Sequence, residues 1–394
     1  MSLAHVMLAA ALAGVGIGWF APGVALHLGW IADVFLRLIR MLVAPLLFGV
    51  LIPAIANAGH PRDVGRIGWR SLVVFEAATT SALLIGWAVG LLVQPGGGIA
   101  LHATGATPPA LQMRDLFVNV VPTSIVDAMA RGDVLQIVVF CLVFGVAALA
   151  VGPAARPVVA LAESIATITF RCTHYVMWLA PAAVCAALAV TVASNGGGAL
   201  LGLTRMVGAA WAAQIATLLV MGTALLASRA PLLRFVACVR EPFLIGFATT
   251  SSAAALPQVL SGLERFGVSS RVAGFVAPLS MSLNTCGAAA YMGVAMLFVA
   301  QASHMALPLA TQVLLLLTLK VAGKGVTGVP RATVIILAAI SERFGLPAAG
   351  VAMLLGIDAL IDPIRTAVNV TSHGVAPVLV GRWEGERYDT GRPS

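Results

Sequence analysis

The chain has 394 residues, 60% of them hydrophobic and 10% charged, with a formal net charge of +8 and a mean hydropathy of +1.00. These values lie outside the range of soluble globular chains, so a polytopic membrane protein is expected. No nucleic-acid partner is needed to explain the basic balance, because the arginines stand near the ends of apolar stretches and form no solvated patch.

The apolar stretches run to about 18 to 30 residues, enough to cross a hydrocarbon core of roughly 30 Å. Helices are expected at 3–21, 31–57 and 70–93, then a broken segment at 115–152, then 156–194 and 199–227. No Lys or Arg precedes the first stretch, VMLAAALAGVGIGWF, so a retained helix is expected there and not a cleaved signal peptide. Arginines cluster in 60–70 and 228–240, whereas 94–112 has neither Lys nor Arg. The positive-inside rule puts the first two loops in the cytoplasm and the third outside. Cys141, Cys172, Cys185, Cys238 and Cys286 show no CxxC spacing, which argues against a disulfide framework or a zinc site. No cofactor is expected.

Beyond residue 228 the apolar stretches are interrupted by ATTSSAAALPQ (248–258), SLNTCGAAA (282–290) and GKGVTGVPRAT (323–333). Unpaired backbone groups cannot face lipid, so each interruption is expected to be buried in protein or to line a cavity. Two half-length segments joined by a small-polar tip occur twice, around Pro257 and Pro330, each followed by a long helix. That order matches re-entrant hairpins in an inverted repeat with a midplane site; kinked helices packed through Gly and Pro are the alternative.

The stretch DALIDPIRTAVNVTSH (358–373) carries its polar groups on one face. At about 100° per residue, Asp358, Asp362, Arg365, Thr366, Asn369 and His373 share a wedge of roughly 100°. Intramembrane charges cost at least about 2.5 kcal/mol each, so such a row must pair or face a ligand. A purely structural ion-pair network is one reading. Recognition of a small zwitterion or dianion is the other, with an arginine fork for a carboxylate and an acid for an ammonium.

These segments, with VFLRLIRMLVAPLLFGVLIPAIA and FEAATTSALLIGWAVGLLVQPGGG, together resemble the dicarboxylate/amino acid:cation symporter family over about residues 8–383. The resemblance implies an all-α membrane protein with eight transmembrane helices and two re-entrant helical hairpins, arranged as inverted repeats in an elevator-type transporter. It implies a homotrimer in contact with membrane lipid. Each protomer would have scaffold segments at 1–69 and 94–194, transport-domain segments at 70–93 and 195–383, and a cytoplasmic tail at 384–394. The substrate would be an acidic amino acid or a dicarboxylate. By motif position Asp362 resembles the residue that holds the ammonium, Arg365 the one that holds the side-chain carboxylate, with Thr366 and Asn369 beside them. Ser252, Gly328 and Val329 would receive the α-carboxylate. Asp362 favours aspartate or glutamate over a four-carbon dicarboxylate.

The departures concern the coupling ion. Positions matching the family's coupling region include Glu76, Thr79, Ser280, Ser282, Asn284, Cys286, Asp358, Asn369 and His373. Here Cys286 and His373 stand where sodium-coupled members carry aspartates, Ala288 replaces a threonine, and Gly323 and Val326 replace hydroxyl residues. Arg331 stands where small residues are usual. A thiol and an imidazole are poor ligands for a hard cation. Weakened sodium coupling is therefore expected, with H+ or Na+ as the coupling ion, His373 as first proton carrier and Glu76 as second. A neutral His373 filling the old cation position is the competing reading. An anion channel and a non-transporting sensor stay open as other classes, whereas no HExxH or GxSxG points to an enzyme.

Overall fold

The computed structural model describes residues 3–56, 65–99, 101, 121–325 and 332–388, and among these no strand occurs. The chain opens with α1 (Leu3–Phe20) and a short α2 (Pro22–His27), bent from each other by 119° where Pro22 cannot continue the hydrogen-bond ladder. Next come α3 (Gly29–Ala56) and α4 (Gly65–Val93). The expected segment at 115–152 contains α5 (Ile125–Arg131) and α6 (Val134–Val151), broken at Gly132, whose φ of 67° is left-handed. Asp133 then caps α6 by accepting from the Gln136 N–H at 3.3 Å.

The single helix expected at 156–194 is instead two, α7 (Arg156–Met177) and α8 (Ala180–Asn195). Pro181, in the first turn of α8, lacks an N–H and restricts the residue before it, which favours a boundary there. A long α9 (Gly197–Ala227) follows.

The interruptions seen in the sequence separate shorter helices. They divide α10 (Leu232–Thr249) from α11 (Ser252–Phe266), and α12 (Ser270–Leu283) from α13 (Cys286–Ala302). Between α14 (Leu309–Ala322) and α15 (Ala332–Arg343), a 3-10 turn at Gly323–Gly325 leads into 326–331, which lies outside the described residues. The last helix, α16 (Ala348–Glu384), runs for 37 residues.

α16 packs against α4 and α9 to α13, and α4 lies along α13. α13 is buried except at Ala288 and Gln301, as expected of a helix that is apolar all round. By contrast only 17% of the best apolar window in Val139–Val176 is buried, against 89% in Ser270–Ala302, so the first lies at the periphery and the second in the interior. Arg66–Val93, Val139–Val176, Leu200–Ala227 and Ser270–Ala302 are long and apolar enough to cross a membrane, and the bent α1/α2 pair can supply a fifth crossing. Among the described residues the expected eight are not reached on length and hydropathy: α16 carries several charges, and α3 and α8 contribute only the shorter apolar stretches Ala44–Pro53 and Ala180–Ser194.

α4 and α13 approach through glycine. A Cβ at Gly86 would overlap the Ala290 carbonyl oxygen, and one at Gly293 would lie 2.7 Å from the Leu83 oxygen. Gly86→Val is therefore expected to destabilise the protein by about 1–3 kcal/mol, read as a lower thermal midpoint in detergent. An unchanged midpoint would show that the two backbones part without cost.

At the end of α16, Arg382 donates to the Ser228 and Arg229 carbonyls, each at 2.8 Å, and Glu386 accepts from the Ser269 hydroxyl at 2.5 Å. Burial pushes the Tyr388 phenol up, assisted by Glu386, while its O–H donates to the Val378 carbonyl at 3.1 Å. These contacts tie the chain end to the base of the α10/α11 hairpin and orient α16 beside it.

Candidate functional site

Asp358, Arg365, Thr366 and His373 are buried on α16, and Asp362 and Asn369 are partly so. Arg365 bridges the two acids, donating from Nη1 to Asp358 Oδ1 at 2.8 Å and from Nη2 to Asp362 Oδ1 at 2.5 Å. Its guanidinium also lies over the Tyr291 ring, 4.9 Å from the centroid. The helix places these acids seven and three residues before the arginine, so the ladder is local. A guanidinium carries more donors than these two oxygens consume, which leaves the group able to meet a carboxylate.

The break between α12 and α13 is fastened to the same helix. Thr285, at the start of α13, supplies no side-chain cap; Asn369 Oδ1 takes that part, accepting from the Gly287 N–H at 2.8 Å and the Ala288 N–H at 3.3 Å. A Cβ on Gly287 would overlap the Arg365 carbonyl oxygen, so only glycine lets the helix start come this close. The Gln214 amide on α9 donates to the Gly287 oxygen at 2.8 Å. Asn284 and Ser372 exchange hydrogen bonds, Nδ2 to the Ser372 oxygen at 3.2 Å and Oγ to the Asn284 oxygen at 2.9 Å.

Cys286 Sγ lies 3.2 Å from Asn284 Oδ1, and Ser280 Oγ lies 2.9 Å from His373 Nδ1. The remaining His373 nitrogen, Nε2, is buried and has no hydrogen-bond partner among the described residues. A proton on Nε2 would need water or a rearrangement to reach it. The buried Tyr291 hydroxyl likewise has no partner among the described residues.

On α4, Glu76 forms an ion pair with Lys320 at 2.9 Å and a second with Lys324, both lysines on the last turns of α14 and the 3-10 turn after it. The expected proton carrier on α4 is thus the anchor for two ammonium groups. Thr79 spends its hydroxyl on the Phe75 carbonyl of its own helix, at 2.7 Å. Ser280 faces His373, whereas Ser282 stands about 200° around the helix from it. Ser252 begins α11, which packs on α16; the neighbouring Ser251 is the cap, accepting from the Ala254 N–H at 3.3 Å. Thr250 before it has a φ of 52°, an unusual conformation for a β-branched residue and a mark of strain at this tip. Gly328, Val329 and Arg331 lie outside the described residues.

Sequence reasoning passed over Lys320, Lys324, Tyr291, Gln214 and Ser372, which join the site through contacts from distant segments. For the lysines a signal existed: they are the only two in the chain, against 23 basic residues in all.

A buried row of charges and amides on interrupted helices, in a protein whose described residues form no strand, is the kind of arrangement that membrane transporters use for polar solutes. The chain belongs to the sodium:dicarboxylate symporter family, whose model matches residues 3–383, and the family consists of transporters and not enzymes. It is 34% identical over 392 residues to a proton/glutamate-aspartate symporter of Bacillus subtilis (strain 168), covering 97% of this chain and 95% of that one. It is 35% identical over 394 residues to a C4-dicarboxylate transport protein of Anaeromyxobacter sp. (strain K), covering 96% and 89%. Similarity to a proton/sodium-glutamate symport protein of Bacillus subtilis (strain 168) is 32% over 384 residues, covering 94% and 90%.

Proposed function

We propose that this protein is a secondary active transporter of acidic amino acids, aspartate or glutamate, in which sodium coupling is weakened or replaced by protons. The observation that carries the reading is Arg365 held between Asp358 and Asp362 on α16. A substrate with a carboxylate and an ammonium can take Arg365 with one end and Asp362 with the other, exchanging one buried pair for two. Thr366 and Asn369 flank this exchange, and Ser252 with the Gly328–Val329 backbone would receive the α-carboxylate.

At the coupling positions, Cys286 turns to Asn284 and His373 to Ser280, so the side chains engage one another and offer little anionic oxygen to a hard cation. His373 is the first candidate for the proton carrier in this reading and Glu76 the second. The architecture is eight transmembrane helices with two hairpins in a homotrimer. Residues 1–69 and 94–194 form the scaffold against which 70–93 and 195–383 slide as an elevator, gated by the second hairpin.

The test is uptake of labelled L-aspartate into sodium-free proteoliposomes under an inward proton gradient, with unlabelled glutamate and succinate as competitors. Concentrative uptake that collapses with a protonophore is expected. Recovery only on adding sodium would overturn the coupling assignment, and stronger competition by succinate would move the substrate to C4-dicarboxylates. Linear, unsaturable flux would mean a channel, and tight binding without flux a sensor.

A further inference from the structure

Only two of the 23 basic residues are lysines, and they sit four residues apart, both paired with Glu76. Arginine and lysine differ where it matters here: guanidinium is a broad planar fork, whereas an ammonium is a compact monovalent point charge, close in character to an alkali cation.

Two sources of negative potential meet beside Lys324: the Glu76 carboxylate, and the C-terminal end of α12, at Leu283, a helix that packs against the 3-10 turn. Helix C-termini concentrate partial negative charge and attract cations. The turn is drawn to that end by Thr285, whose hydroxyl lies 3.5 Å from the Gly323 carbonyl oxygen, and by Met292, which fills the space beside Gly323. Lys324, next to Gly323, is the more enclosed of the two lysines, 16% exposed against 23%.

From the break, the line continues without a gap to the substrate face: Cys286 precedes Gly287, whose N–H meets Asn369 and whose Cα abuts the Arg365 backbone. The charged groups at Lys324 are Glu76 from α4, which pairs with it, and Lys320 from α14, which shares that carboxylate. Counted as ionised, the two lysines and Glu76 leave one positive charge in excess, and the α12 end answers it.

We propose that Lys324 is a tethered cation: its ammonium, held by Glu76 against the α12/α13 break, does in this chain what a bound soluble monovalent cation would otherwise do. Resting on the transporter reading, it makes the arrangement of the break, and so of Asn369 and Arg365, independent of sodium. Lys320 is the second hand on Glu76 and steadies its carboxylate.

The test compares wild type, Lys324→Met, Lys324→Arg and Lys320→Met. Thermal unfolding in detergent is followed in sodium chloride and in choline chloride at equal ionic strength, with no substrate present. Wild type, K324R and K320M are expected to show the same midpoint in both salts. K324M, with the negative potential left uncompensated, is expected to gain a sodium-dependent rise of roughly 3 °C or more. A sodium-dependent rise in wild type overturns the proposal, and so does a folded K324M that ignores sodium. If K324M does not fold, Lys324→Gln replaces it, and the wild-type comparison stands alone as a refutation. Labelled aspartate uptake by wild type is measured beside this; its absence would sink the transporter reading while leaving the ion response to be judged by itself.

Discussion

Replacing Arg365 by Gln is expected to abolish aspartate uptake and to lower the thermal midpoint at the same time. Both effects have one source. Asp358 is fully buried, and Arg365 bonds it at 2.8 Å, so removing the guanidinium takes the counter-charge from a buried carboxylate at a cost of about 3–5 kcal/mol. The substrate carboxylate loses charge-assisted hydrogen bonds of about 1.5–3 kcal/mol each, enough for roughly a 100-fold fall in apparent affinity or more. The double variant Arg365→Gln with Asp358→Asn separates the two: the midpoint is expected to return while uptake stays lost. Arg365→Lys keeps the charge and loses the fork, so one of the two acids is released and selectivity suffers. Uptake retained in the glutamine variant, with unchanged competition by glutamate, would remove Arg365 from substrate recognition.

The second large effect is on pH dependence. His373→Gln is expected to flatten the response of uptake to external pH while leaving saturable exchange in place. Glutamine can still bond Ser280, so the packing around His373 Nδ1 survives and only the titrating ring is lost. If His373 carries the proton, uptake by wild type falls as external pH rises, because fewer imidazoles load on the outer side. The enclosed Nε2 adds a condition: loading happens only in a state in which water reaches that nitrogen. A glutamine variant with the wild-type pH profile would leave His373 as a filler of the old cation position and pass the question to Glu76, where Glu76→Gln also frees Lys320 and Lys324.

Much of this was legible before any coordinate. Mean hydropathy and charge placement required a membrane protein, because no soluble chain can bury so much apolar surface without exposing the remainder. The interruptions at 248–258, 282–290 and 323–333 coincide with helix boundaries, because Ser, Gly and Pro weaken the local ladder whatever surrounds them. The polar face of 358–373 also follows from periodicity alone, and the Asp358–Arg365–Asp362 ladder is its direct product, since residues three and seven apart on a helix lie on one side. The split of 156–194 into α7 and α8 carried a local sign in Pro181 and was nonetheless read as one helix.

What the tertiary structure alone decided is who stands opposite that face. Asn369 capping α13, Gly287 pressed on the Arg365 backbone, Ser280 bonded to His373, and Glu76 holding Lys320 and Lys324 all join segments roughly 80 to 250 residues apart. A helix announces its own periodicity through nearest neighbours. Its partners are chosen by packing and by the need to satisfy every buried charge and backbone group inside a medium without water, and that requirement is met across the fold and not along the chain.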